Sequence, residues 1–320
     1  MASDNKYSKN VYLLFGTERY LVLEKDKDIA DTFAPPQGME IMNTSVYKDG
    51  VSAQHLKADC EMLPFMTEKR LIRVVDSGFF TRGKKDETDA FADYVKNIPQ
   101  STVLVFVENN VQKNNALYKA VKKHGECMEF EPLKARELTA FVKKQGKGLI
   151  ADPDYFISYV GEDMEKLVGE IAKLSAYSKG APVDNAVIDE VCSPALDTYV
   201  FNMTAAIGKK DIGTALDIYG NMLRAKEAPT VILGQIERQF KLMLECKELE
   251  RKGKSRADIA EILGIREFAA RRCMEQGRNF KLSELLKGIK SCYKCDMDIK
   301  TGKISDTLGV ELVILGLNKI

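Results

Sequence analysis

The apolar pattern of this chain changes period once, after Pro132, and no other feature limits its possible folds so strongly. Before that point, β-rich runs occur at Val11 to Phe15, Met39 to Tyr47, Arg70 to Asp76, Thr102 to Glu108 and Cys127 to Phe130. Segments with helical spacing lie between them, at Arg19 to Phe33, Ser52 to Cys60, Asp86 to Ile98 and Gln112 to His124. Strands alternating with helices predict a parallel sheet covered by helices on both faces. The run Val-Leu-Val-Phe-Val at 103–107 is apolar on both faces, as a buried parallel strand requires.

Beyond Pro132 the spacing is helical throughout. Leu138, Phe141 and Val142 share one face, and Met164, Leu167, Val168, Ile171 and Leu174 form a stripe with i, i+3, i+4, i+7 spacing. Ala151-Asp152-Pro153-Asp154 reads as a turn that starts a helix, and Cys192-Ser193-Pro194-Ala195 as a domain boundary. The expected architecture is therefore α/β plus all-α in three parts. These are a parallel-sheet domain over 1–131, a small helical domain over 132–194 and a larger helical domain over 195–320. A chain of 320 residues is long enough for two or three cores.

Charge excludes some functions at once. The 48 basic and 47 acidic side chains nearly cancel, so whole-chain electrostatics predicts neither nucleic-acid nor membrane binding. The polar stretch Met1 to Asn10 lacks the pattern of a signal peptide, and no apolar run approaches the roughly 18 residues of a membrane span, so the cytoplasm is the expected location. Seven scattered cysteines, an odd count, predict free thiols in a reducing compartment.

The first strand runs into Phe15-Gly16-Thr17-Glu18-Arg19-Tyr20-Leu21-Val22, where an α/β nucleotide-binding domain would carry its phosphate loop. Such a loop needs GxxxxGK followed by Ser or Thr: glycines let backbone amides reach phosphate, lysine neutralises charge and the hydroxyl ligates magnesium. Gly16 is retained, but Leu21 and Val22 stand where the second glycine and the lysine belong. Glu108, at the end of the fourth β-run, reads as a surface carboxylate with no lysine to give it a role. No catalytic centre, cofactor site or metal site is expected.

Other chemical candidates are weak. Cys292 and Cys295 form a CxxC without a second ligand pair or a nearby histidine, which favours helix packing over zinc. His55 and His124 have no nucleophile motif beside them. Ala257 to Leu263, Gly264 and Phe268 to Arg272 resemble a helix-turn-helix whose arginines could meet phosphate, although hairpins inside helical bundles give the same pattern. Met62-Leu63-Pro64-Phe65-Met66 is the most informative segment. Five consecutive apolar residues with a proline fit neither a helical nor an alternating pattern. They are either a helix end buried against the sheet or an apolar plug offered to a partner's pocket.

Several segments, in order, resemble the delta subunit family of the bacterial DNA polymerase III clamp loader. Val11 to Leu21 resembles its degenerate nucleotide loop, and Leu63 to Leu71 its clamp-contacting segment. Gly161 to Met164 with Glu170 to Leu174 resembles its lid helix. Phe201 to Ile207, Ile232 to Phe240 and Asp298 to Lys303 resemble its collar domain.

The resemblance implies an AAA+-like N-terminal domain, a helical lid and a helical collar that mediates oligomerisation. It implies a subunit that binds and opens the sliding clamp without hydrolysing ATP, with Leu63, Pro64, Phe65 and Met66 entering the clamp. It also implies partnership with the sliding clamp (beta), with tau or gamma and delta prime subunits, and with primed DNA through the assembled complex, with no role for a membrane. The alternatives are a catalytic AAA+ ATPase subunit and a helix-turn-helix DNA-binding regulator.

Overall fold

The computed structural model describes residues 6–48 and 50–317, which divide into two compact units, 1–133 and 134–320. The first unit contains β1 (Val11–Phe15), α1 (Arg19–Thr32), α2 (Glu40–Asn43), β2 (Thr44–Lys48), α3 (Ala53–Cys60), β3 (Arg70–Val75), α4 (Lys85–Val95), β4 (Thr102–Glu108), α5 (Ala116–His124) and β5 (Glu126–Glu129). All strands pair in parallel, in the order β2-β3-β4-β1-β5.

Period-2 alternation distributes the side chains between two cores. On one face Leu13, Phe15, Ile72, Val74, Leu104 and Phe106 pack with residues of α3, α4 and α5. On the other, Tyr12, Leu14, Leu71, Val103, Val105 and Val107 pack against Val22 and Ile29 of α1. All seven residues of β4 are buried, as expected for a central parallel strand. On the α1 side Arg73 of β3 forms a two-pronged ion pair with the buried Asp26, its Nε 2.9 Å from Oδ1 and its Nη2 on Oδ2.

One sequence expectation fails in this unit. Met39 to Tyr47 is not a continuous strand, because Glu40–Asn43 winds into the short helix α2 before β2 begins. The Glu40 carboxylate accepts the Gly38 amide at 2.8 Å, and the Asn43 amide donates to the Met39 carbonyl at 3.2 Å. β2 is thereby left a short, half-exposed edge strand. Edge strands carry a weak apolar signal, so the adjoining helical turn is hidden within the same run.

The second unit is helical: α6 (Ala135–Gln145), α7 (Pro153–Val160), α8 (Met164–Ser178), α9 (Asn185–Val191), α10 (Leu196–Gly208), α11 (Ile212–Arg224), α12 (Pro229–Arg251), α13 (Arg256–Leu263), α14 (Glu267–Gly277), α15 (Leu282–Lys300) and α16 (Asp306–Leu317). The turn at 151–154 starts α7, with the Asp152 side chain capping it and Pro153 at its first turn. Met164, Leu167, Ile171 and Leu174 of α8 are buried as one stripe. The segment 192–195 joins α9 to α10 within this unit. Its Ala195 amide donates to the Tyr159 carbonyl at 2.7 Å, and the Thr198 hydroxyl lies 2.9 Å from the same oxygen.

The largest helical core gathers α10, α11, α12, α15 and α16 around Phe240, Ile236, Met243 and Ile314. α12 and α15 meet closely because Gly288 has no side chain, and a Cβ there would lie 2.7 Å from the Phe240 ring. Among the described residues, no helix is long and apolar enough to cross a membrane.

Candidate functional site

Leu63, Pro64, Phe65 and Met66 lie in the connection between α3 and β3, and they are not buried against the sheet. Leu63 is 83% exposed, Met66 76% and Phe65 50%, with Met62 beside them at 54%. This exposure removes the reading of the segment as a buried helix end. Leu63 and Met66 therefore gain little from folding, and with half-buried Phe65 they form a contiguous exposed apolar patch, the form that interaction surfaces take.

The backbone beneath them is firmly held. Asn43 is fully buried, and its Oδ1 accepts the Phe65 amide at 2.7 Å while its Nδ2 donates to the Phe65 carbonyl at 3.0 Å. Arg70, at the start of β3, donates through Nη1 to the Met42 carbonyl and through Nη2 to Ser45 Oγ at 2.9 Å and Asp59 Oδ1 at 2.5 Å. Tyr47 donates its hydroxyl to the other Asp59 oxygen at 3.0 Å. Burial, and then the Asp59 carboxylate, push the Tyr47 phenol up to about 12. A buried ion pair therefore ties α2, β2, the end of α3 and β3 together at the base of the exposed segment. Met66 adopts a left-handed backbone, φ 54°, a conformation that costs a residue with a side chain roughly 1 kcal/mol.

The loop after β1 is differently built. Gly16 has φ 132°, and a Cβ there would lie 2.0 Å from the Phe130 carbonyl oxygen, so glycine is required for packing against the chain beyond β5. The Glu18 amide donates to that same oxygen at 3.1 Å. The Glu18 carboxylate caps α1 by accepting the Tyr20 amide at 3.3 Å, which places a negative group of the chain itself where a helix N-terminus would attract an anion.

Glu108 corrects a second expectation: it is 2% exposed rather than a surface carboxylate. Its Oε1 accepts the Ser77 amide at 3.0 Å and the Ser77 hydroxyl. Burial pushes its carboxyl from an ordinary 4.5 up to about 7, outweighing the two donations from Ser77. Between those values the folded chain holds a proton that the unfolded chain releases, so stability falls as pH rises through that window. Glu108→Gln is expected to flatten this dependence and to be more stable than the parent above the window, as thermal midpoints measured across it will show.

Of the remaining candidates, the cysteines and the hairpin arginines pack within the helical unit, and the histidines do not. Cys292 and Cys295 are buried in α15, and among the described residues no cluster could hold a metal ion. His55 and His124 are exposed. In the α13–α14 hairpin Gly264 supplies the left-handed turn, but the arginines are engaged within the unit. The Arg272 guanidinium lies 3.8 Å from the Phe201 ring centroid, and burial lowers its pKa. Arg271 lies over Phe268, and Arg266 pairs with Glu162 at 2.7 Å. A cavity of about 610 Å³ opens beside α10, α12 and α14, where Arg238 faces Asp197 at 3.5 Å. Arg272→Ala is expected to lower stability in chemical denaturation by about 1–2 kcal/mol, through loss of the stacked guanidinium, while DNA titration of the full chain is unchanged.

Two family models match the chain in succession. The model described as "DNA polymerase III, delta subunit" matches residues 12–131, and "DNA polymerase III delta subunit, C-terminal domain" matches 197–317. The chain belongs to the DNA polymerase III delta subunit family. It is 29% identical to the DNA polymerase III subunit delta of Bacillus subtilis (strain 168) over 97% of its own length and 93% of the relative's. A solved structure titled as the Bacillus subtilis DNA clamp loader delta protein superposes with a TM-score of 0.58 at 28% identity, covering 97% of this chain and 96% of the other. As a delta-family chain it is an accessory subunit of the polymerase that takes part in DNA replication. The α/β part coincides with the first model's match and α10 to α16 with the second's, while α6 to α9 lie between the two.

Sequence reasoning located the exposed segment but missed what holds it. Asn43, Asp59 and Arg70 carry no motif that marks them as supports, and the β-rich run places Ile41 and Met42 in a strand. The sequence offers little signal for Asn43, which is one of four polar residues, with Glu40, Thr44 and Ser45, between Met39 and Tyr47.

Proposed function

We propose that this chain is the subunit that grips and opens the sliding clamp, by inserting Leu63, Phe65 and Met66 into an apolar pocket of the clamp while Pro64 shapes the turn. The observation that carries this reading is the exposure of three large apolar side chains on a backbone pinned by buried hydrogen bonds. A pinned segment loses little conformational entropy on docking, so most of the apolar contact is available as affinity.

On this reading residues 132–194 act as the lid and 195–320 as the collar that assembles with the tau or gamma subunits and delta prime. Those neighbours supply the ATP cycle, and primed DNA is met through the assembled ring in the cytoplasm. This chain hydrolyses no ATP itself. The reading draws support from the Glu18 amide and carboxylate, which are both engaged within the chain at the place of a phosphate loop. Titration of the purified full chain with its cognate sliding clamp, by surface plasmon resonance, tests the function. Saturable binding is expected, and its absence overturns the reading.

A further inference from the structure

Asn43 is an unusual residue to find completely buried at the base of an exposed loop. Three of its four amide hydrogen-bonding positions are filled by backbone groups. Oδ1 accepts the Phe65 amide at 2.7 Å and lies 3.1 Å from the Thr67 hydroxyl, while Nδ2 donates to the Phe65 carbonyl at 3.0 Å and the Met39 carbonyl at 3.2 Å. An amide side chain offers two donors and one two-fold acceptor, so both donors are taken, and the second acceptor position faces a Thr67 hydroxyl that also lies 3.0 Å from the Lys69 carbonyl. Both backbone polar groups of Phe65 are thus held by one side chain, and the residues on either side, Pro64 and Met66, are fixed with it.

The same side chain closes the α2 turn through Met39. The two residues before it, Ile41 at 94% exposure and Met42 at 57%, are therefore held in register with Leu63 and Phe65. Neither can lower the free energy of this chain by burial in its own core, and α2 is too short to need them for helix formation. Arg70 anchors the Met42 carbonyl from below, so the two apolar segments rest on a common support.

We propose that Asn43 is a positioning residue, which holds Phe65 in its docking shape and joins Ile41 and Met42 to the same apolar contact surface. This rests on the docking role proposed above for Leu63 to Met66. The partner face that receives it then extends beyond a single pocket: a pocket takes Leu63 and Phe65, and an adjoining apolar shelf takes Ile41 and Met42. In the absence of the Asn43 amide the Phe65 backbone would be satisfied by water in many conformations, and binding would have to order the loop.

The test measures affinity of the full chain for the cognate sliding clamp with four variants: Asn43→Ala, Ile41→Ala, Phe65→Ala, and Asn43→Ala combined with Phe65→Ala. Asn43→Ala is expected to bind about tenfold more weakly and Ile41→Ala about fivefold more weakly. A positioning role has a distinctive mark: Phe65→Ala weakens binding much less in the Asn43→Ala background than in the parent, because a mispositioned ring has less to lose. Should Asn43→Ala fail to fold, Ile41→Ala and hydrogen exchange at the Phe65 amide of the parent take its place. Slow exchange supports the latch, and exchange at the rate of an open loop overturns it. Parent-like affinity of Asn43→Ala and Ile41→Ala, alongside weak binding by Phe65→Ala, overturns this inference and leaves the docking role intact. Failure of the parent chain to bind the clamp overturns both.

Discussion

The double variant Leu63→Ala, Phe65→Ala is expected to lose clamp affinity by about 100- to 1,000-fold while its melting temperature stays within about a degree of the parent's. Both parts of that expectation follow from exposure. Leu63 is 83% and Phe65 50% exposed, so truncation opens no cavity in the folded chain. In a clamp pocket each side chain would be desolvated, and burying a Leu or Phe contributes roughly 1.5–3 kcal/mol. Two such losses would sum to about 3–6 kcal/mol, and because alanine keeps its Cβ and Phe65 is already half-buried, the expected loss is about 3–4 kcal/mol. Surface plasmon resonance together with calorimetry separates the two effects. Parent-like affinity would remove the site from this segment without touching the family assignment.

Asp59→Ala is expected to have the largest effect on stability, about 3–5 kcal/mol, with the melting temperature of the first unit lowered on the order of 10 °C. Asp59 is 4% and Arg70 8% exposed, and their oxygen and nitrogen lie 2.5 Å apart. Removing the carboxylate leaves the guanidinium buried without a counter-charge, and it also deprives the Tyr47 hydroxyl of its acceptor. The pair itself need not be strongly stabilising, since the attraction is offset by desolvation of both ions. Asp59→Leu combined with Arg70→Met should therefore recover much of the loss in a denaturant titration. A double variant as unstable as Asp59→Ala would show instead that the ion pair is worth more than its desolvation. Because Arg70 also holds the Met42 carbonyl, Asp59→Ala should in addition weaken clamp binding.

The legibility of the chain followed how strongly each element's pattern was tied to burial. β1 and β4 were read correctly because a strand buried on both faces must be apolar at every position. The α8 stripe was legible because its apolar face meets one core. α2 was not, since four residues are too few to set up a period and its outward residues Ile41 and Met42 are themselves apolar. Glu108 was misjudged for a related reason. A carboxylate at a strand end is usually wet, and the Ser77 donors that accept it into the interior are 31 residues away.

The candidate site divides along the same line. Leu63 to Met66 could be found from the sequence because a five-residue apolar run containing proline violates every periodic pattern. Whether that run was core or surface could not be read there, because apolar character is the same in both places.

The sequence by itself determined the change from α/β to helical structure, the retention of Gly16 without the lysine of a phosphate loop, and the ordered motifs of the delta family. Only the tertiary structure decided that Leu63, Phe65 and Met66 face water, that Gly16 is required by its contact with Phe130, and that Asn43, Asp59 and Arg70 support the exposed segment. The physical reason is the range of the interactions. Periodicity is set by neighbours within a few residues, which the sequence displays directly. Exposure and hydrogen-bond satisfaction depend on partners brought together by the fold, here across 22 residues for Asn43 and Phe65 and 11 for Asp59 and Arg70.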